Sequence, residues 1–119
     1  MKLSANFALL NINIKAMIEL TEDNLKEIVE TNEMVMVQYG ATWCGNCKIT
    51  KPKFRRLGDE NENIKFVYVD AEKLPNSRAL AEVSNLPTFA GFRNGKLVNS
   101  VAGNKPSIIT DLLNEVTNN

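Results

Sequence analysis

Two cysteines separated by two residues, just after a strand-length apolar run, constrain this chain more than any other feature. Met34-Val35-Met36-Val37-Gln38-Tyr39 leads into Trp43-Cys44-Gly45-Asn46-Cys47-Lys48, which holds the only cysteines and the only tryptophan of 119 residues. The apolar run has the length and composition of a buried central strand. If a helix begins at Cys44, the two thiols lie one turn apart and can close a disulfide with little backbone movement. The helix start also acts on the sulfur. At the N-cap, Cys44 sits where a capping side chain accepts the orphan amides of Asn46 and Cys47. A thiolate there is hydrogen-bonded and meets the positive end of the helix dipole, so its pKa is expected below the free value of about 8.5. Cys47, one turn in, is expected nearer the interior and stays a thiol. An asymmetric pair of this kind suits disulfide exchange.

Composition removes several alternatives. Lys plus Arg number 14 and Asp plus Glu number 14, so the formal charge is zero and neither nucleic acid nor an anionic membrane is an expected partner. There is no histidine, hence neither the usual general base nor the commonest zinc ligand. Two cysteines alone cannot complete a four-ligand structural zinc site, so no metal is expected. The length fits one domain, and no apolar run approaches the roughly 18 residues of a membrane span. Residues 1–14 carry an early Lys2 and the apolar Phe7-Ala8-Leu9-Leu10, interrupted by Asn6, Asn11 and Asn13. Secretory apolar cores run about 7–15 residues, so export is the minor alternative. Alternation at Leu10, Ile12 and Ile14 fits an extra strand or a loose arm, and Met17 leaves room for an upstream start extension. The expected division is therefore an extension over 1–14 and a domain over 15–119.

Further along, Met17-Ile18-Glu19-Leu20 reads as a short strand, and Thr21 as the cap of a helix with Glu22 and Asp23 in its first turn. Leu25, Ile28 and Val29 supply its apolar stripe. The helix from Cys44 is expected to reach about Leu57, interrupted at Pro52, whose ring clashes with the carbonyl of Lys48. Ile64 to Val69 reads as a second buried strand, and a helix is expected near Ser77 to Val83, with Pro75 at its start. Thr88 to Arg93 and Lys96 to Ala102 flank Asn94-Gly95, a strong two-residue hairpin signal. The last helix, from about Pro106, puts Ile108, Ile109, Leu112, Leu113 and Val116 on one face. The order β-α-β-α-β-α-β-β-α gives an α/β single domain: a central mixed sheet flanked by helices and finished by an antiparallel hairpin.

Over roughly Lys15 to Glu115 the chain resembles the thioredoxin family. The Trp-Cys-Gly-x-Cys-Lys run follows a buried strand, Pro52 stands five residues after Cys47, Leu86-Pro87-Thr88 precedes the hairpin, and Phe92-Arg93-Asn94-Gly95 is followed by Gly103. The resemblance implies the thioredoxin fold, a cis bond before Pro87, and Pro87 beside Cys44. It implies a thiol–disulfide oxidoreductase in which Cys44 attacks a partner disulfide and Cys47 releases the product. Trp43, Gly45, Asn46 and Lys48 would support the pair. Leu86 would offer main-chain hydrogen bonds to an extended substrate, and Gly103 would let a partner approach closely. No bound cofactor is implied. The implied partners are protein disulfides and an electron donor such as a thioredoxin reductase, with the protein a monomer in the cytoplasm. A disulfide oxidase or isomerase in an oxidising compartment, or a non-catalytic interaction module, are the alternatives.

Two positions depart from the family pattern. Asn46 replaces the usual proline and restores an amide that can point at the sulfur, which favours the reduced form and a less reducing potential. Gln38 replaces a buried aspartate, and Phe66 replaces its lysine partner, a coherent double loss because either charge buried alone would be unpaired. Glutamine takes no proton, so resolution by Cys47 is expected to be slower and to rely on water or on the geometry of the mixed disulfide. Lys48, Lys51, Lys53, Arg55 and Arg56 read as a solvated helix face, with Lys48 alone near the thiolate, and Tyr39 and Tyr68 as strand residues without a chemical role.

Overall fold

The strands expected from the apolar runs all enter one sheet. In this computed structural model, which describes residues 17–118, β1 (Met17–Glu19) is followed by α1 (Leu25–Thr31), β2 (Met34–Gly40), α2 (Gly45–Glu60) and β3 (Lys65–Asp70). Then come α3 (Pro75–Arg78), β4 (Thr88–Arg93), β5 (Lys96–Ala102) and α4 (Pro106–Asn118). The strand order is β1-β3-β2-β4-β5. β1 and β2 run parallel to β3, while β4 is antiparallel to both β2 and β5. Every residue of β2 is buried, which its unbroken apolar run requires of a central strand covered on both faces.

Alternation along the strands divides the core in two. Val35, Val37 and Tyr39 point with Val67, Val69, Ala90 and Phe92 toward the face covered by Leu25 and Val29 of α1. Met36, Phe66 and Phe89 point the other way, toward Phe54 of α2 and Ile109, Leu112 and Val116 of α4. Phe54 is the hub of this second layer. It is fully buried, with ring centroids 4.9 Å from Phe66 and 5.9 Å from Phe89. The hairpin turn has Asn94 at φ 53° and Gly95 at φ 82°, the left-handed pair expected of Asn-Gly.

Three expectations about helices change. α1 begins at Leu25 after Asn24, whose side chain makes no capping bond, so Thr21 is not its cap. Asp23 works elsewhere: its carboxylate accepts the amides of Asn76 at 2.9 Å and Ser77 at 2.7 Å. Ser77 Oγ in turn accepts the amide of Leu25 at 3.1 Å. The two helix starts cap each other across more than fifty residues, which no local pattern encodes. Burial works against the Asp23 charge, yet hydrogen bonds from the Ser77 side chain and from both amides prevail and hold its carboxyl below the ordinary 3.8. Next, α3 is a single turn with Pro75 in its first turn, and Leu80 and Val83 pack on the core from beyond its end. Finally, α2 continues through Pro52 to Glu60 rather than ending near Leu57. The extension expected over 1–14 lies outside the described residues.

Candidate active site

β2 delivers the chain to the cysteines at the end of its buried run, and Cys44 is the N-cap of α2. Its Sγ accepts the Cys47 amide at 3.1 Å, and its carbonyl accepts the Lys48 amide at 3.3 Å. The expected second donor to the sulfur, the Asn46 amide, is not one: a capping side chain reaches the third helical residue, and that is Cys47. Cys44 and Cys47 are joined as a disulfide, with Cα atoms 5.3 Å apart. Cys44 is 5% exposed and Cys47 is 0% exposed, so the asymmetry between rim and interior is present.

The surroundings come from three other segments. Leu86 packs against Ala41 and the cysteines, and the Leu86–Pro87 peptide is cis. Among the described residues the Leu86 amide and carbonyl have no hydrogen-bond partner, whereas the Pro87 carbonyl accepts the Gly103 amide at 3.0 Å. Gly103 has an immediate structural reason: φ is 134°, and a Cβ there would lie 2.8 Å from Ile108 Cδ1. Trp43 is 65% exposed, with its indole N–H donating to Glu72 at 2.8 Å. Gly45, Asn46 and Lys48 are exposed beside it. Ile49, just after Lys48 on α2, is an open apolar side chain, 73% exposed. It escaped the sequence reading because a single apolar residue in a basic stretch carries no periodic signal.

Below the disulfide the site is polar in an unusual way. Gln38 is fully buried, its Nε2 donating to the Cys47 carbonyl and to Thr50 Oγ1, both at 3.0 Å, while its Oε1 has no partner among the described residues. Tyr68 pairs with Gln38 in the β2–β3 register and so points to the same face. Its hydroxyl fills the space a side chain on Gly40 would take, next to Cys47. Tyr68 is therefore more than a strand residue. Burial, then the carboxylates of Asp70 and Glu19, push its hydroxyl pKa up. Lys51 Nζ lies 4.1 Å from the centre of its ring and 3.0 Å from Glu19, which also pairs with Arg55 at 3.3 Å. Two members of the basic stretch thus tie α2 to β1 rather than merely facing solvent. A groove of about 400 Å³ opens here, lined by Thr42, Lys48, Lys51, Tyr68 and Asp70 among others.

A sulfur pair at a helix start, one sulfur at the rim and one inside, can pass between dithiol and disulfide. Among the described residues no cluster of potential ligands could hold a metal ion, and no helix is long and apolar enough to cross a membrane. The family model described as thioredoxin matches residues 16–115. The thioredoxin of Oryctolagus cuniculus is 34% identical over 85 residues, covering 71% of this chain and 81% of that protein. The thioredoxin of Schistosoma mansoni is 35% identical with a TM-score of 0.75, covering 83% of this chain and 94% of that one. A yeast chain, solved to describe thiol resolution in a mitochondrial 1-Cys peroxiredoxin via the glutathione and thioredoxin systems, is 27% identical with a TM-score of 0.71, covering 81% of this chain and 95% of its own.

Proposed function

Because this chain belongs to the thioredoxin family, we propose that Cys44 is its attacking sulfur and Cys47 its resolving one. The protein is a thiol–disulfide oxidoreductase, a thioredoxin-like protein-disulfide reductase whose redox pair is Cys44 and Cys47. The observation that carries the division of roles is the N-cap. Cys44 Sγ accepts the Cys47 amide at the positive end of α2, while Cys47 is sealed beneath it. In the reduced protein the Cys44 thiolate attacks one sulfur of a partner disulfide, and the partner's other sulfur leaves as a thiolate. Cys47 then loses its proton and attacks Cys44 Sγ. The intramolecular disulfide forms as the second partner thiolate departs, so the partner gains two electrons and this protein loses them.

Protein disulfides are the substrate class in this reading. Trp43, Ile49 and Leu86 offer apolar contact, and the open main chain of Leu86 suits an extended segment, which pairs by backbone rather than by sequence. Gly45, Asn46, Lys48, Pro87 and Gly103 complete the surface, with the chain acting as a monomer. The yeast relative's association with peroxiredoxin thiols supports a protein partner of this kind. A thioredoxin reductase or another dithiol returns the electrons. The cytoplasm is the compartment such a reductant needs, since thiols there are kept reduced. Residues 15–119 form the working domain, and 1–14 are an extension to it.

Insulin reduction with dithiothreitol as electron source tests the reading. Wild type is expected to speed the onset of turbidity, and Cys44→Ser to return it to the uncatalysed time. A wild-type trace no faster than dithiothreitol alone would overturn it.

A further inference from the structure

We propose that Tyr68 is a further catalytic residue: its hydroxyl donates a hydrogen bond to Cys47 Sγ when that sulfur becomes an anion. The inference rests on Cys47 being the resolving sulfur. The geometry comes from Gly40. A Cβ built there would run into the Tyr68 hydroxyl and lie 3.2 Å from Cys47 Cβ, so hydroxyl and cysteine border the same small space. The register explains how they meet. Tyr68 stands across from Gln38, Gly40 is two residues further on the same face of β2, and α2 lays Cys47 over both.

The remaining groups at this depth leave the task open. Gln38 carries no titrating proton, and its amide hydrogens are committed to Cys47 O and Thr50 Oγ1. The Tyr68 hydroxyl has no hydrogen-bond partner among the described residues. It is a donor at neutral pH, because burial and the carboxylates of Asp70 and Glu19 keep it protonated. The charged groups facing it are Glu19 from β1, Asp70 from its own strand, and Lys48 and Lys51 from α2, with Arg55 bound to Glu19; β2 presents none. Lys51 over the ring face fixes the ring without using the hydroxyl.

In the step itself, Cys47 releases its proton to solvent, and the resulting anion accepts the Tyr68 O–H. The sulfur's electron pair forms the bond to Cys44 Sγ while the bond from Cys44 to the partner breaks. The partner leaves as a thiolate and takes a proton from solvent. Tyr68 keeps its own proton throughout. The hydrogen bond stabilises the anion and raises the fraction of Cys47 able to attack.

Tyr68→Phe keeps the ring and the Lys51 contact and removes only the donor. In a Cys44→Ser background, the carbon NMR shift of labelled Cys47 Cβ against pH reads its titration directly, with no reagent having to reach a buried sulfur. The midpoint is expected to rise by about one unit when Tyr68 becomes Phe, and single-turnover resolution in the two-cysteine protein to slow about tenfold at neutral pH, the size of one hydrogen bond to a charged group. An unchanged midpoint in a folded variant overturns the proposal. Tyr39→Phe, which removes a hydroxyl bound to the Ser77 carbonyl on the other face of the sheet, should leave the midpoint where it is; an equal rise there also overturns the proposal. Wild-type insulin turnover reports on the roles of the two sulfurs and the midpoint shift on Tyr68, so the two readings fail separately.

Discussion

The two faces of the sheet treat neighbouring polar residues of one strand in opposite ways. Tyr39 points under α1, and its hydroxyl donates to the Ser77 carbonyl at 2.8 Å. Gln38, one residue earlier, points under α2 and keeps Oε1 buried without a partner among the described residues, while the hydroxyl of Tyr68, its partner in the β2–β3 register, reaches Gly40 at the edge of the groove. Tyr39 and Gln38 are both fully buried, so solvent does not explain the contrast. A buried polar group left unmatched costs stability. Of the two buried side-chain atoms left unmatched among the described residues, Asn24 Oδ1 lies at the start of α1, and Gln38 Oε1 belongs to the side chain that holds the Cys47 carbonyl beneath the sulfur pair. Tyr39 closes the structure; Gln38 leaves an open acceptor beneath the redox pair.

The comparison breaks most visibly if the redox face is emptied. Phe54→Ala removes the hub of that layer and is expected to cost about 3–5 kcal/mol by chemical denaturation, with the opposite face intact. Gln38→Asp sharpens the contrast. It places a carboxylate at a fully buried site, where Phe66 stands in place of the family's lysine, and should lower stability by about 3 kcal/mol through the raised pKa of a buried acid. The same change should speed mixed-disulfide resolution in single-turnover kinetics, because a proton acceptor now lies under Cys47; an unchanged rate would break the link between Gln38 and slow resolution.

Tyr39→Phe is the control on the matched face. It leaves the Ser77 carbonyl unpaired and should cost about 1–2 kcal/mol with no effect on insulin reduction. Burial raises the Tyr39 hydroxyl above its ordinary 10.0, so that group's share of stability is complete below this value and declines as the pH climbs toward its folded pKa. Denaturation midpoints of wild type should therefore fall more steeply in alkali than those of the variant. The smallest effect concerns the paired helix starts. The Asp23 carboxyl lies below 3.8 in the folded protein, so its contribution is full above that value and drains as the pH falls through its folded pKa. Asp23→Asn should flatten the acid limb of the stability curve and leave neutral activity alone.

The pattern of what was legible in the sequence follows from range. β2, β4, β5 and α4 could be read because each depends on its own apolar residues and on local punctuation such as Asn94-Gly95. The start of α1 could not, because its amide is served by Ser77 and its nearby acid serves α3. Cys44 as N-cap was legible from the motif, and Gln38 from its departure at a family position. Tyr68 was not. Its place beside Cys47 follows from a parallel register between β2 and β3 and from the absence of a side chain at Gly40, and neither leaves a mark in a single strand's residues.

The lone indole makes the molecule its own optical probe. Trp43 is mostly exposed, hydrogen-bonded to Glu72 and covalently adjacent to Cys44. Disulfides quench indole emission by accepting an electron from the excited ring, so opening the sulfur bridge should brighten the protein. With no second tryptophan contributing background, one fluorescence trace follows electron arrival at this centre in real time, without a dye or a coupled reaction.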